Sequence, residues 1–200
     1  SGLMGVDEVG RGCLSGPVVA AAVILPQIAK KSFLAEELSD LNDSKALSQK
    51  QRERLAGILR ANCRFAIAEA SPAEIDQINI LQASLLAMSR AVAGLSVRPD
   101  KVEVDGNRVP TLTIAVPVEA IVKGDAKVAA ISAASILAKT ARDAELVALD
   151  AEWPCYGFAQ HKGYPTAAHL AALAQFGASP VHRQSFGPVK RLLAQGRLFG

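Results

Sequence analysis

A mixed α/β domain, one sheet covered by helices, is implied by three features of this 200-residue chain. Two short apolar, β-branched runs come first, at Leu3 to Val6 and Val18 to Leu25, separated by a Gly-rich stretch. Further strand-like runs then alternate with helical stretches, as in a sheet with helices packed on it. The length suits one domain, on a prior of roughly 100–200 residues per domain, and can bury a core without disulfides.

Each element has a local reason. The first two runs read as strands joined by a hairpin-like turn around Gly10, Gly12 and Gly16-Pro17. Ser48 is placed to cap a charged helix over Gln49 to Ala61. Arg64 to Ala68 alternates as a third strand. Ser71-Pro72 opens a helical region, and Ile78 to Ala93 is helical up to Gly94. Lys101 to Asp105 alternates as a fourth strand and Val118 to Val122 reads as a fifth. Val128 to Leu149 lacks Gly and Pro and reads as one long Ala-rich helix. Thr166 caps a helix running to Phe176, and a short helix near Pro188 to Gln195 ends the chain. No repeat or linker divides it, so residues 1–200 read as one domain, with a core over about 3–150 and a helical extension over about 151–200.

Half of the residues are apolar and 20% are charged, which excludes disorder as the main state. Val18 to Leu25 is too short to cross a bilayer, and Pro26 ends it. With no secretory signal in the sequence, a cytoplasmic location is expected. Ser1-Gly2 reads as an expression remnant ahead of an altered start. Cys13, Cys63 and Cys155 form no C-x-x-C pair, so reduced thiols are expected, not a zinc site. The net charge is +3. No Asp or Glu follows Glu152, whereas Lys162, Arg183, Lys190, Arg191 and Arg197 do, so a phosphate-bearing partner is one reading and a solvated basic face the other.

The acids carry the chemistry. Asp7 and Glu8 close the first strand, Asp105 closes the fourth, and Asp125 follows the fifth. Strand ends in α/β sheets are common places for sites. Grouped carboxylates are costly unless neutralised, and Mg²⁺ or Mn²⁺ does so because hard cations prefer oxygen. The alternative is four solvated turn residues, since Asp-Gly and Gly-Asp suit turns. Neighbours on a regular strand point to opposite faces, so Asp7 and Glu8 reach one site only if the strand distorts.

Six ordered blocks resemble bacterial ribonuclease HII, the type 2 ribonuclease H. They are Gly5-Val-Asp-Glu-Val-Gly-Arg-Gly12 with Leu14-Ser-Gly-Pro-Val-Val19; Leu41-Asn-Asp-Ser-Lys45 with Leu47-Ser48; Val104-Asp-Gly-Asn107; Lys123-Gly-Asp125 with Ile131 to Lys139 and Arg142-Asp143; Tyr156-Gly-Phe with His161 to Thr166; and His182-Arg183 with Ser185 to Val189. The resemblance runs from near residue 4 to about 191. It implies a ribonuclease H-like mixed five-stranded sheet flanked by helices, with a helical C-terminal extension. It also implies a divalent-metal endoribonuclease that acts on RNA–DNA hybrids and cuts 5′ to single ribonucleotides in duplex DNA, as in ribonucleotide excision and primer removal, leaving 3′-hydroxyl and 5′-phosphate ends.

By that resemblance Asp7, Glu8, Asp105 and Asp125 match the catalytic metal ligands, holding two ions that bracket the scissile phosphate. Asp143 is expected to pair within its helix or support the site indirectly. Gly10, Arg11 and Gly12 match the loop that reads the ribonucleotide, where glycines let backbone approach a 2′-hydroxyl. Tyr164 matches the ring that packs on the next sugar. Asn42, Ser44 and Lys45 are expected on the nucleic-acid backbone, with Lys162 and Arg183 as weaker candidates. His161, His169 and His182 are expected to be packed or surface residues, and Trp153 part of the core.

The chain departs from the family at Cys13, where proline is usual; a less rigid loop and an oxidisable thiol are expected. Gln195 to Phe199 resembles peptides that dock on the bacterial sliding clamp, the alternative being that Leu198 and Phe199 fold back on the helices. A monomer is expected. A catalytically silent RNA–DNA hybrid binding module is the rival reading. The grouped acids oppose it, because a binder gains nothing from carboxylates beside phosphates.

Overall fold

A computed structural model of the chain describes residues 2–28 and 30–196. The elements run β1 (Leu3–Val9), β2 (Val18–Ile24), α1 (Phe33–Glu37), a 3-10 turn (Leu41–Ala46), α2 (Gln49–Asn62), β3 (Arg64–Ala70), α3 (Pro72–Ile78), α4 (Ile80–Ala93), β4 (Lys101–Asp105), β5 (Val118–Ile121), α5 (Gly124–Lys127), α6 (Ala129–Glu152), α7 (Phe158–His161), α8 (Ala167–Phe176) and α9 (Gly187–Ala194). The strands form one mixed sheet in the order β3-β2-β1-β4-β5. β1 and β2 pair antiparallel as the expected hairpin, β3 extends it, and β4 and β5 join in parallel. Among the described residues no helix is long and apolar enough to cross a membrane.

Both sheet faces are covered, which is why β2 is buried along its whole length. Met4, Val6, Val18, Ala20 and Ala22 face α3 and α4, with Ile75, Ala87 and Met88 against them. Val19, Ala21 and Val23 face α2 and α6, meeting Leu55, Leu59, Ile136 and Leu137. Burying each such aliphatic chain contributes about 1.5–3 kcal/mol before entropy is counted. α6 lies very close to β1: a β-carbon on Gly5 would stand 2.2 Å from the Ala130 carbonyl carbon. Only glycine allows that approach, and it brings the start of α6 beside the acidic end of the sheet.

Local signals held where the chemistry was local. Ser48 and Ser71 each form a full capping box, with Gln51 and Glu74 answering. The helical region after Ser71 is broken, however. Asn79, at φ 72, ends α3 and caps α4 through its own side chain. The 3-10 turn at Leu41–Ala46 was not expected. Its Leu41 carbonyl accepts from the buried Ser132 hydroxyl on α6, a contact of high sequence separation.

Candidate active site

β1 and β4 lie parallel with Val6 opposite Val104, so Asp7 and Asp105 follow in the same row on the face under α6. Asp125 opens α5, and its amide donates to Asp105 Oδ1 at 3.1 Å. Glu8 follows Asp7 with the opposite parity. The β1–β2 ladder continues undistorted through Asp7↔Ala21, Glu8↔Ala20 and Val9↔Val19. β4 ends at Asp105, and Glu8 at the sheet's end lines the same cavity as Ser44, Lys45 and Tyr164. The two carboxylates are near enough for Glu8 to raise Asp7.

The electrostatics are those of acids short of countercharge. Burial, then Glu8 and Asp105, holds the Asp7 carboxyl well above its usual range. Burial also raises Glu8, against the opposing pull of Arg11, whose Nη1 lies 3.7 Å away. Asp105 is raised chiefly by burial. Lys45 Nζ reaches Asp125 Oδ2 at 3.2 Å and supplies one positive charge. Among the described residues no three acidic, imidazole or thiol side chains converge tightly enough to cage an ion. The group is open, yet its donors suit a hard divalent cation. They are all oxygens, the four acids outnumber the two cations Arg11 and Lys45 beside them, and Glu8 Oε2 is buried with no hydrogen-bond partner.

Beside the acids lies a cavity of about 300 Å³ lined by Glu8, Ser44, Lys45, Arg52, Lys139 and Tyr164. Asn42 and Lys45 are exposed on the 3-10 turn, while Ser44 is buried. Arg52 escaped the sequence reading. It sits one turn into α2, donates to the Leu47 carbonyl at 2.7 Å and lines this cavity. The only signal was its place just after the Ser48 cap. Lys139 Nζ stands 5.5 Å from the centre of the Tyr164 ring. Lys139 also meets Asp143 at 2.9 Å, the helix pair expected for that acid.

The Gly10–Gly12 loop leaves β1 with Gly10 at φ 92. Among the described residues the amides of Arg11 and Gly12 donate to no protein group. Arg183 is not a surface phosphate contact, contrary to the sequence reading. It is 0% exposed and serves this loop from beneath. Its fork matches carbonyl oxygens better than solvent there. Lys162 turns its ammonium onto the Ala159 carbonyl. Cys13 is fully buried and its thiol is pushed up by burial, so the expected oxidisable thiol is shielded. The three histidines are buried in the C-terminal lobe around Phe158. Trp153 packs partly buried against Leu146, Tyr156 and Phe158. Of the Gln195–Phe199 segment, residues 197–199 lie outside the described residues.

Comparison with known proteins agrees with this geometry. The family model for ribonuclease HII matches residues 4–189. Ribonuclease HII of Chromobacterium violaceum is 61% identical over 98% of this chain and 96% of its own. The crystal structure of ribonuclease H2 from Pyrococcus horikoshii OT3 superposes with a TM-score of 0.77 at 29% identity, covering 96% of this chain and 97% of that one. The PCNA:RNase HII complex from Archaeoglobus fulgidus gives 0.72 at 26% identity, over 94% and 96%. A sheet of this order, acids gathered at its end and a match along nearly the whole length together show that the chain belongs to the ribonuclease HII family of metal-dependent ribonucleases.

Proposed function

We propose that this chain is an endoribonuclease that hydrolyses the RNA strand of RNA–DNA hybrids and cuts 5′ to single ribonucleotides embedded in duplex DNA. The observation that carries the reading is the grouping of Asp7, Glu8 and Asp105 at one sheet end, with Asp125 bonded to Asp105, beside a loop with unpaired amides. Asp7, Glu8, Asp105 and Asp125 would hold the metal, Mg²⁺ or Mn²⁺, as a pair of ions. Bound there, it supplies an activated water and neutralises charge on the leaving 3′-oxygen.

The chain's own part is binding and orientation. Lys45 is 80% exposed at its side chain and can exchange Asp125 for a phosphate. Asn42 and Ser44, on the same turn, join it on the nucleic-acid backbone. Gly10, Arg11 and Gly12 offer backbone donors to a 2′-hydroxyl, the group that separates RNA from DNA. Tyr164, 36% exposed, presents a ring for the following sugar. Residues 1–200 act as one catalytic unit and a monomer in this reading. The PCNA in the Archaeoglobus complex supports a clamp as a partner, and this reading assigns its docking to Gln195–Phe199. Ribonucleotide excision repair and primer removal are the matching roles.

The test is cleavage of a labelled DNA duplex carrying one ribonucleotide, in Mg²⁺, Mn²⁺ or EDTA, with Asp105→Asn and an all-DNA duplex as controls. A single metal-dependent cut 5′ to the ribonucleotide, lost in the variant, is expected. Binding without cutting in every metal condition would instead support the silent hybrid binder.

A further inference from the structure

Two guanidinium groups are buried beneath the Gly10–Pro17 loop, Arg142 at 1% and Arg183 at 0% exposure. Among the described residues neither forms an ion pair with a carboxylate. Their donors end on backbone carbonyls. Arg142 Nε donates to Pro17 at 3.1 Å, Nη2 to Ser15 at 2.7 Å and Nη1 to Lys162 at 2.5 Å. Arg183 Nε donates to Gly16 at 3.0 Å, Nη1 to Arg11 at 3.0 Å and Nη2 to Gly10 at 2.7 Å. The fit is close: a β-carbon on Gly10 would stand 2.3 Å from Arg142 Nε.

Buried cations without a counter-ion are expensive, and apolar side chains of similar volume fill a core at lower cost. Packing alone is therefore a poor reason for two of them. What the pair does is turn five of the loop's carbonyls inward. A trans peptide points its carbonyl and the following N–H in opposite directions. With the Gly10 carbonyl held inward, the Arg11 amide points away from Arg183. With the Arg11 carbonyl held inward, so does the Gly12 amide. These are two of the loop's unpaired amides, and successive free N–H groups make a donor concavity. Arg142 also holds Lys162, a left-handed residue at φ 54 two positions before Tyr164. One side chain thus joins the Gly-rich loop to the Tyr164 turn.

We propose that Arg142 and Arg183 are positioning residues for ribonucleotide recognition. They preset the amides of Arg11 and Gly12, and Arg142 fixes those amides relative to Tyr164. The inference rests on the reading of this loop and Tyr164 given above. Lysine keeps the charge and loses the fork, so it separates geometry from field.

The experiment compares full-length wild type, Arg142→Lys and Arg183→Lys in EDTA, by anisotropy, on a DNA duplex with one ribonucleotide and on the same duplex in all-DNA form. The ratio of the two affinities is expected to fall about tenfold or more in each variant, while all-DNA affinity moves less than about threefold. A ratio kept at the wild-type value in both variants overturns the proposal. A wild type with no preference overturns the ribonucleotide reading itself, and this inference with it. Should a variant fail to fold, amide exchange in wild type decides. Arg11 and Gly12 amides protected by the ribonucleotide duplex and not by the all-DNA duplex support the proposal; equal protection by both overturns it.

Discussion

His169 Nε2 lies 2.9 Å from His182 Nε2, with both rings buried. Their surroundings set the tautomers. His169 Nδ1–H donates to the Tyr164 carbonyl at 3.0 Å, so its Nε2 accepts. His182 Nδ1 accepts the Ser179 amide at 3.0 Å, so its Nε2–H is the donor. His161 stacks on His169 at 4.1 Å between ring centres. It accepts the Gly163 amide and donates to the Tyr156 carbonyl. A proton added at His161 Nδ1 or His182 Nδ1 would set donor against donor.

Acid should therefore unfold this lobe early. Burial first, then the neighbouring imidazoles, lowers His169 to about 4 and His182 to about 3. The native state keeps both neutral, while the unfolded chain protonates near the ordinary value. Their stability contribution is whole above about pH 6.5 and is lost as pH falls toward those native values. At about 1.4 kcal/mol per pKa unit the pair accounts for several kcal/mol. Urea midpoints measured from pH 7 to 4 should fall steeply, and His182→Gln should flatten that slope. A slope unchanged by the substitution would remove the histidines as its cause.

Asp7 gives the opposite sign. Its carboxyl is raised by burial and by the acids around it. Such a group favours the fold when protonated, and that contribution fades as pH rises through its native value. Asp7→Asn removes the charge and keeps an Oδ1 for the Glu8 amide, which now donates to it at 2.8 Å. In EDTA at neutral pH the variant should melt roughly 2–4 °C higher. Its cleavage should fall by more than the ~10–100-fold typical of groups that only support a metal ligand. A lower Tm would show that Asp7 is not strained by its neighbours.

Asp125 and Asp143 should separate cleanly. Asp125 is buried against Asp105, whereas Asp143 pairs with Lys139 one turn away. Asp125→Asn should cost most of the activity. Asp143→Asn should cost about threefold or less and no more than ~0.5 kcal/mol of stability. Steady-state kinetics and urea unfolding on the two variants check this, and equal losses would place Asp143 in the metal site.

Gly5→Ala tests the α6 contact. The new methyl would meet the Ala130 backbone, which has no flexible end to move aside. A loss of about 1–3 kcal/mol or more is expected, with activity falling further because the start of α6 flanks the acids. Chemical unfolding read beside cleavage rate measures both. A wild-type midpoint would mean that α6 is not held against β1.

What sequence made legible was what neighbours along the chain decide. Caps at Ser48 and Ser71, alternation in β4 and the unbroken helix after Val128 all depend on residues a few positions apart. The acids were visible because they sit where strands run out. Hidden were contacts closing across the chain: Ser132 on the Leu41 carbonyl, Arg183 on Gly10, Arg142 on Ser15. Arg183 carries no local mark of burial, and in a basic C-terminal stretch it reads as one more surface cation. The approach of Asp7 to Glu8 was hidden too, since strand alternation puts neighbours on opposite faces.

α6 acts as a gauge. Ser135 lines the cavity with Glu8, and Arg142, seven residues further along the same helix, holds the Gly-rich loop. Seven residues are about two turns, so roughly 10 Å of rigid rod separates the two stations. On the proposed function, the spacing between the bond to be cut and the sugar to be inspected is metered by this rod, not by the loops at its ends. Inserting one residue between the stations would rotate Arg142 about 100° off the loop. On that proposal, which bond is broken becomes a matter of helical register.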